Sequence, residues 1–245
     1  MKQTNKKKII KKKRSALEYI SLFFVSGVLL PLIFLAFVFN MKEIYSMLLF
    51  YVFTYTCTIL FFGIFFKDEI TDLIEYSYRI SKNKIKIINI MFLFLFGVLS
   101  TIIIQIIVYL LNVYLLHIRD VDKASIFEKQ IENIIKLNNV HSVIILLTII
   151  FFSGIVAPVV EEIIFRGLIF QSLRQKMDLK LAILMNALIF GLWHIDLYTA
   201  LCAFLFGIVL SIFYIRFNSI FVPIVIHIGA NIIGLTNIII SSIIK

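Results

Sequence analysis

Seven long apolar runs constrain this chain more than any other feature: Ala16–Phe39, Ile44–Phe66, Ile87–His117, Ser142–Leu173, Leu181–His194, Leu197–Ile215 and Ile220–Ile244. A helix needs about 20 apolar residues to cross the hydrocarbon core of a bilayer. Backbone polar groups find no water there, so only helices or a closed barrel can span it. Barrel strands alternate apolar and polar residues, and these runs are too long and too uniform for that. The fold class is therefore all-α, a polytopic transmembrane helical bundle of seven spans, or eight if Ile87–His117 or Ser142–Leu173 is broken in two. The chain is 61% hydrophobic, against ~45–50% in soluble domains, which excludes a soluble globular protein.

Charge is distributed unevenly. The net charge is +10, and Lys2, Lys6, Lys7, Lys8, Lys11, Lys12, Lys13 and Arg14 form one N-terminal cluster. Beside an apolar run, such a cluster reads as a cytoplasmic anchor held by positive-inside bias and anionic lipid, and no nucleic-acid partner is implied. Residues 1–15 are read as a basic cytoplasmic tail and 16–245 as a single transmembrane domain. The apolar part of Ala16–Phe39 exceeds the ~7–15 residues of a signal h-region, so it reads as an uncleaved anchor. With the N-terminus inside, 67–86, 174–180 and the turn at Arg216 are also cytoplasmic, and Lys245 is outside. The outer segment 118–141 reads as a membrane-lying amphipathic helix on Ile126, Gln130, Ile134 and Leu137, or as a plain connecting helix. Cys57 and Cys202 lie within apolar runs and read as packing residues.

Three polar clusters interrupt the most apolar half of the chain. Ionisable groups near the bilayer centre cost at least ~2.5–3.5 kcal/mol each on insertion scales, so they are kept where they face one another or a wet cavity. The first is Glu161-Glu162 followed by Arg166. Glu162 and Arg166 are four apart and share a helix face, whereas Glu161 is rotated by about 100°. One carboxylate can pair with the arginine while the other stays available as a general base. The second cluster is Phe190 and His194, again four apart; Trp193 and Asp196 beside them suit a membrane interface. The third is His227 and Asn231, also on one face, and both can donate hydrogen bonds to a developing oxyanion. Each pair alone has an ordinary packing explanation; three on successive helices point to an intramembrane reaction centre. His117 and His141 flank the outer segment and carry no assigned chemistry. Pro158, three residues before Glu161, frees a helix carbonyl and can kink the helix. Straight helices would leave His227 shallow, Glu161 at the inner third and His194 deep, so tilt, a kink at Pro158 or a short fifth span is required to bring them together.

Other intramembrane chemistries lack their residues. No His-Glu pair starts a zinc-protease helix, Phe151 stands where a Gly-x-Ser-Gly serine site needs glycine, and no two aspartates lie mid-span. Two carboxylates and two histidines, Glu161, Glu162, His194 and His227, are also conceivable zinc ligands.

The motifs E-E-x-x-x-R (Glu161 to Arg166), F-x-x-x-H (Phe190 to His194) and H-x-x-x-N (His227 to Asn231) occur in this order. In this the chain resembles the CAAX-endopeptidase and bacteriocin-processing (Abi, CPBP) family of intramembrane proteases over roughly residues 142–240. The resemblance implies a helical membrane protease, often with eight spans, that uses a glutamate-activated water and no metal cofactor. It implies that Glu161 activates water with His194, that His227 and Asn231 stabilise the oxyanion, and that Glu162 and Arg166 form a supporting ion pair. A non-catalytic scaffold or bacteriocin self-immunity protein on the same fold is the alternative, and a transporter a third, since buried charges also mark ion pathways. The Ile-, Lys- and Asn-rich composition fits an AT-rich bacterial genome. The expected partners are the lipid bilayer of the cell membrane and a membrane-associated peptide or protein substrate, such as a bacteriocin precursor.

Overall fold

A computed structural model describes residues 14–37, 43–82, 87–115, 126–194 and 196–244; His117 and nearly all of the basic tail lie outside these. Among the described residues the chain is wholly helical apart from turns. The long helices are α1 (Ala16–Phe37), α2 (Glu43–Phe65), α4 (Ile87–Leu110), α6 (Val140–Leu173), α8 (Leu197–Phe217) and α9 (Phe221–Ile244). Shorter ones are α3 (Lys67–Ser81), α5 (Ile126–Lys136) and α7 (Leu179–Leu192). Their lipid-facing positions carry large apolar side chains, among them Ile64, Phe92 and Ile103, which are 73%, 65% and 56% exposed. The protein is a multi-pass membrane protein.

Among the described residues six helices are long and apolar enough to cross by length and composition: Ala16–Phe37, Leu48–Phe65, Asn89–Tyr114, Val140–Leu173, Leu197–Phe217 and Phe221–Ile244. The remaining run forms α7, whose 14 residues extend about 21 Å at 1.5 Å per residue, short of the ~30 Å hydrocarbon core. Side-chain caps set its start and the start of α8. Asp178 accepts from the Lys180 and Leu181 N–H groups at the start of α7, and Asp196 accepts from the Thr199 N–H at the start of α8. Each cap satisfies N–H groups that the first helical turn leaves unpaired. Asp196 is thus a cap. Trp193 stacks on Phe23 of α1 at 3.9 Å between centroids.

One end of the bundle gathers the segments expected to be cytoplasmic. Ser172 Oγ donates to the Arg14 carbonyl at 3.1 Å, and Arg14 pairs with Glu69 of α3 at 3.4 Å. The Ile220 N–H donates to Ser77 Oγ at 3.1 Å, and Ser81 Oγ lies 2.6 Å from Ser219 Oγ. The amphipathic α3 therefore lies across the ends of α6, α8 and α9. The other end carries α5. Of its expected stripe, Ile134 is buried but Leu137 is exposed, and the second buried position is Ile131. Both pack on Ile145 and Ile149 of α6, with Leu48, Tyr51 and Ile238 alongside. This face of α5 is satisfied by the bundle.

The helix that carries the third motif is held by close backbone approach. A Cβ on Gly97 of α4 would overlap the Ile226 carbonyl, and one on Gly229 of α9 would overlap the Phe94 carbonyl. Small residues let membrane helices approach this closely. Gly97→Ala and Gly229→Ala are each expected to destabilise the protein by about 1–3 kcal/mol, the usual cost of overpacking, read as a lower melting temperature in detergent.

Candidate active site

The site is built on α6, and the helix is irregular where the site needs it to be. Wide π turns occupy Phe152–Val156 and Ile163–Ile169, on either side of the α-helical stretch Ala157–Glu162. Such insertions are frequent at functional sites. The first has a cause in Pro158. The Ala157 N–H bonds the Phe152 carbonyl, an i→i+5 register in which the Ser153 carbonyl would be served by residue 158. Proline has no N–H, so that carbonyl is orphaned. Asn231 of α9 fills the gap, its Nδ2 donating to the Ser153 carbonyl at 2.9 Å. The expected effect of Pro158 thus becomes a specific interhelical bond.

Glu162 and Arg166 are both fully buried and meet at 2.8 Å between Oε1 and Nη1. Arg166 Nη2 donates to the Gly207 carbonyl of α8 at 3.3 Å, and the guanidinium lies 4.4 Å above the Phe190 ring, a cation–π contact that replaces part of the lost hydration. The same Glu162 Oε1 lies 2.8 Å from His227 Nδ1. A carboxylate only accepts, so Nδ1 carries the hydrogen, and Nε2 is turned the other way. It faces Glu161 Oε2 at 3.8 Å. Glu161 is itself buried, and its Oε1 accepts a hydrogen bond from the Tyr55 hydroxyl of α2 at 3.0 Å. A chain of polar groups, Arg166–Glu162–His227–Glu161–Tyr55, therefore crosses three helices.

Phe190 is the apolar hub beside this chain. Its ring meets His227 and His194 edge to face, at 5.8 and 5.3 Å between centroids. Phe206 closes the other side of His227 at 5.5 Å. His194 stands one turn beyond Phe190, half-buried, with Nδ1 3.0 Å from the Phe190 carbonyl. A carbonyl only accepts, so Nδ1 donates and Nε2 keeps a lone pair able to accept from water. Among the described residues no hydrogen bond or ion pair joins His194 to Glu161. The structure thus brings Glu161, Glu162, Arg166, Phe190 and His227 into mutual contact. His194 joins them through Phe190, and Asn231 lies one turn from His227, bonded to Ser153.

Three contributors were not legible from motifs: Tyr55, the Ser153 carbonyl and the Gly207 carbonyl. Tyr51 and Tyr55 are four apart on α2, but nothing in the sequence relates that pair to residue 161. Glu162 Oε1 is shared between Arg166 and His227, and among the described residues no three His, Cys, Asp or Glu side chains are grouped to hold a metal ion.

The family model for type II CAAX prenyl endopeptidase Rce1-like proteins matches residues 143–233, which contain all three motifs. The chain is similar to the "Putative membrane peptidase YdiL" of Bacillus subtilis (strain 168), 40% identical over 79 residues, 32% of each chain. The match thus spans about a third of the length of that curated relative, 32%. No solved structure matches the chain.

Proposed function

We propose that this chain, whose residues 143–233 match the type II CAAX prenyl endopeptidase Rce1-like family model, is an intramembrane endopeptidase. It hydrolyses a peptide bond in a membrane-associated peptide or protein by a glutamate-activated water. One observation carries the reading: of two adjacent buried carboxylates, Glu162 is held by Arg166 and His227, while Glu161 keeps Oε2 turned toward an imidazole across a 3.8 Å gap.

The chemistry follows from these positions. Glu161 Oε2 takes a proton from water, which His194 Nε2 orients by accepting its other hydrogen. The hydroxide oxygen bonds to the scissile carbonyl carbon, and the carbonyl electron pair moves onto oxygen. Passed on from Glu161 Oε2 to His227 Nε2 across the 3.8 Å gap, that proton lets the imidazole present Nε2–H to the oxyanion, and it returns to Glu161 as the intermediate collapses. Asn231 has a second amide hydrogen besides the one given to Ser153. In soluble proteases an oxyanion donor is worth about 2.7–4 kcal/mol. Collapse breaks the C–N bond, and Glu161 returns the proton to the leaving amine, so carboxylate and amine leave and the site is restored. Glu162 and Arg166 keep His227 in one tautomer and one orientation.

The test is cleavage in vesicles. Purified wild-type protein is expected to cleave membrane-associated peptides at an unchanged rate with EDTA or phenanthroline present, since no step of this reaction uses a metal. A chelator-sensitive rate restored by zinc would overturn the metal-free reading. Ion-coupled uptake without proteolysis would identify a transporter. Binding without either would identify a scaffold or immunity protein. We further propose that the N-terminus, α3 and the α8–α9 turn face the cytoplasm of a bacterial cell.

A further inference from the structure

We propose that Tyr55 is a positioning residue for the reaction, an inference that rests on Glu161 being the general base. Its hydroxyl decides which oxygen of that carboxylate takes the proton. The Tyr55 hydroxyl donates to Glu161 Oε1 at 3.0 Å, and Oε2 lies 3.8 Å from His227 Nε2. A glutamate side chain has several rotatable bonds, and its two oxygens are chemically equal until something distinguishes them. Tyr55 distinguishes them. With Oε1 tied to the Tyr55 hydroxyl, the carboxylate is held with Oε2 facing the imidazole.

The placement of Tyr55 suits that purpose. It comes from α2, outside the segment that holds all three motifs, and it bonds the Glu161 oxygen other than the one that faces His227. Its ring packs against the aromatic core that includes Phe62, Phe165 and Phe190, and a phenol with two rotatable bonds held in this way is a stiff donor. A hydrogen bond to a charged acceptor is stronger than a neutral one, and catalytic geometry tolerates little looseness. Without the donor, Glu161 is free to rotate and either oxygen can turn away from the water.

Tyr55→Phe keeps the ring and removes only the donor. In the full chain reconstituted in vesicles, kcat is expected to fall about tenfold to a hundredfold, the worth of one charge-assisted hydrogen bond, with KM and the melting temperature unchanged. A wild-type kcat in Y55F would overturn the inference. So would a loss of kcat matched by an equal loss of melting temperature, which would mark a packing role. Glu161→Gln separates the two levels. Cleavage abolished in E161Q but untouched in Y55F defeats the Tyr55 inference alone, whereas cleavage retained in E161Q, or absent from wild type, defeats the reading of the site and this inference with it.

Discussion

Glu161→Gln is expected to leave an assembled helical bundle and to lower peptide cleavage by about 10²–10⁴-fold, the range that a positioned general base supplies. The substitution is nearly isosteric. The carbonyl oxygen of the new carboxamide can still accept from the Tyr55 hydroxyl, so the contact between α2 and α6 survives. What disappears is the ability to take a proton from water and return it to the leaving amine. The neighbouring Glu162 is fully buried and held in place, its Oε1 shared by the Arg166 guanidinium and His227 Nδ1. Equal melting temperatures for wild type and E161Q, together with the activity ratio in the same vesicles, check the prediction. Comparable cleavage by the two proteins would remove Glu161 from the chemistry.

Arg166→Met is expected to have the largest effect on stability. Arg166 and Glu162 have no exposed side-chain surface. Removing one member of a buried pair leaves the other charge without compensation, at a cost of about 3–5 kcal/mol. By the scaling for soluble chains of similar length, that lowers the melting temperature by on the order of 10 °C. The guanidinium also bonds the Gly207 carbonyl and covers the Phe190 ring, so α7 and α8 loosen as well. Glu162→Gln combined with R166M is expected to recover part of the loss, because no buried charge is then stranded. A double-mutant cycle on melting temperature measures the coupling. Additive losses would show that the pair does not act as a unit.

Periodicity made the pairs legible and left their assembly hidden. The spacing of Glu162 and Arg166 places them on one face, and they meet at 2.8 Å. The apolar runs mark most of the bundle because helix formation in lipid is nearly obligatory. The short α7 was legible in the short run Leu181–His194, but its start at the Asp178 cap and its end at Trp193 were not. The first π turn of α6 leaves the Ser153 carbonyl without an N–H because of Pro158, and its satisfaction by Asn231 is a tertiary matter that no local pattern encodes. The depth mismatch expected for straight helices is resolved by these same features. The irregular α6 brings Glu161 and Glu162 level with His227, and His194 remains one turn away beyond Phe190. The link from Glu162 to His227 spans 65 positions and that from Tyr55 to Glu161 spans 106, and neither leaves a trace in spacing.

Oxygen transfer tests the central claim most directly. Wild-type protein in vesicles would be incubated with a library of membrane-associated peptides in ¹⁸O-labelled water, and the products read by mass spectrometry. The expected result is a set of new C-termini that each carry ¹⁸O from a single hydrolysis, formed by wild type and not by Glu161→Gln. The same labelled products from both proteins, or none from either, would contradict the glutamate-activated hydrolysis.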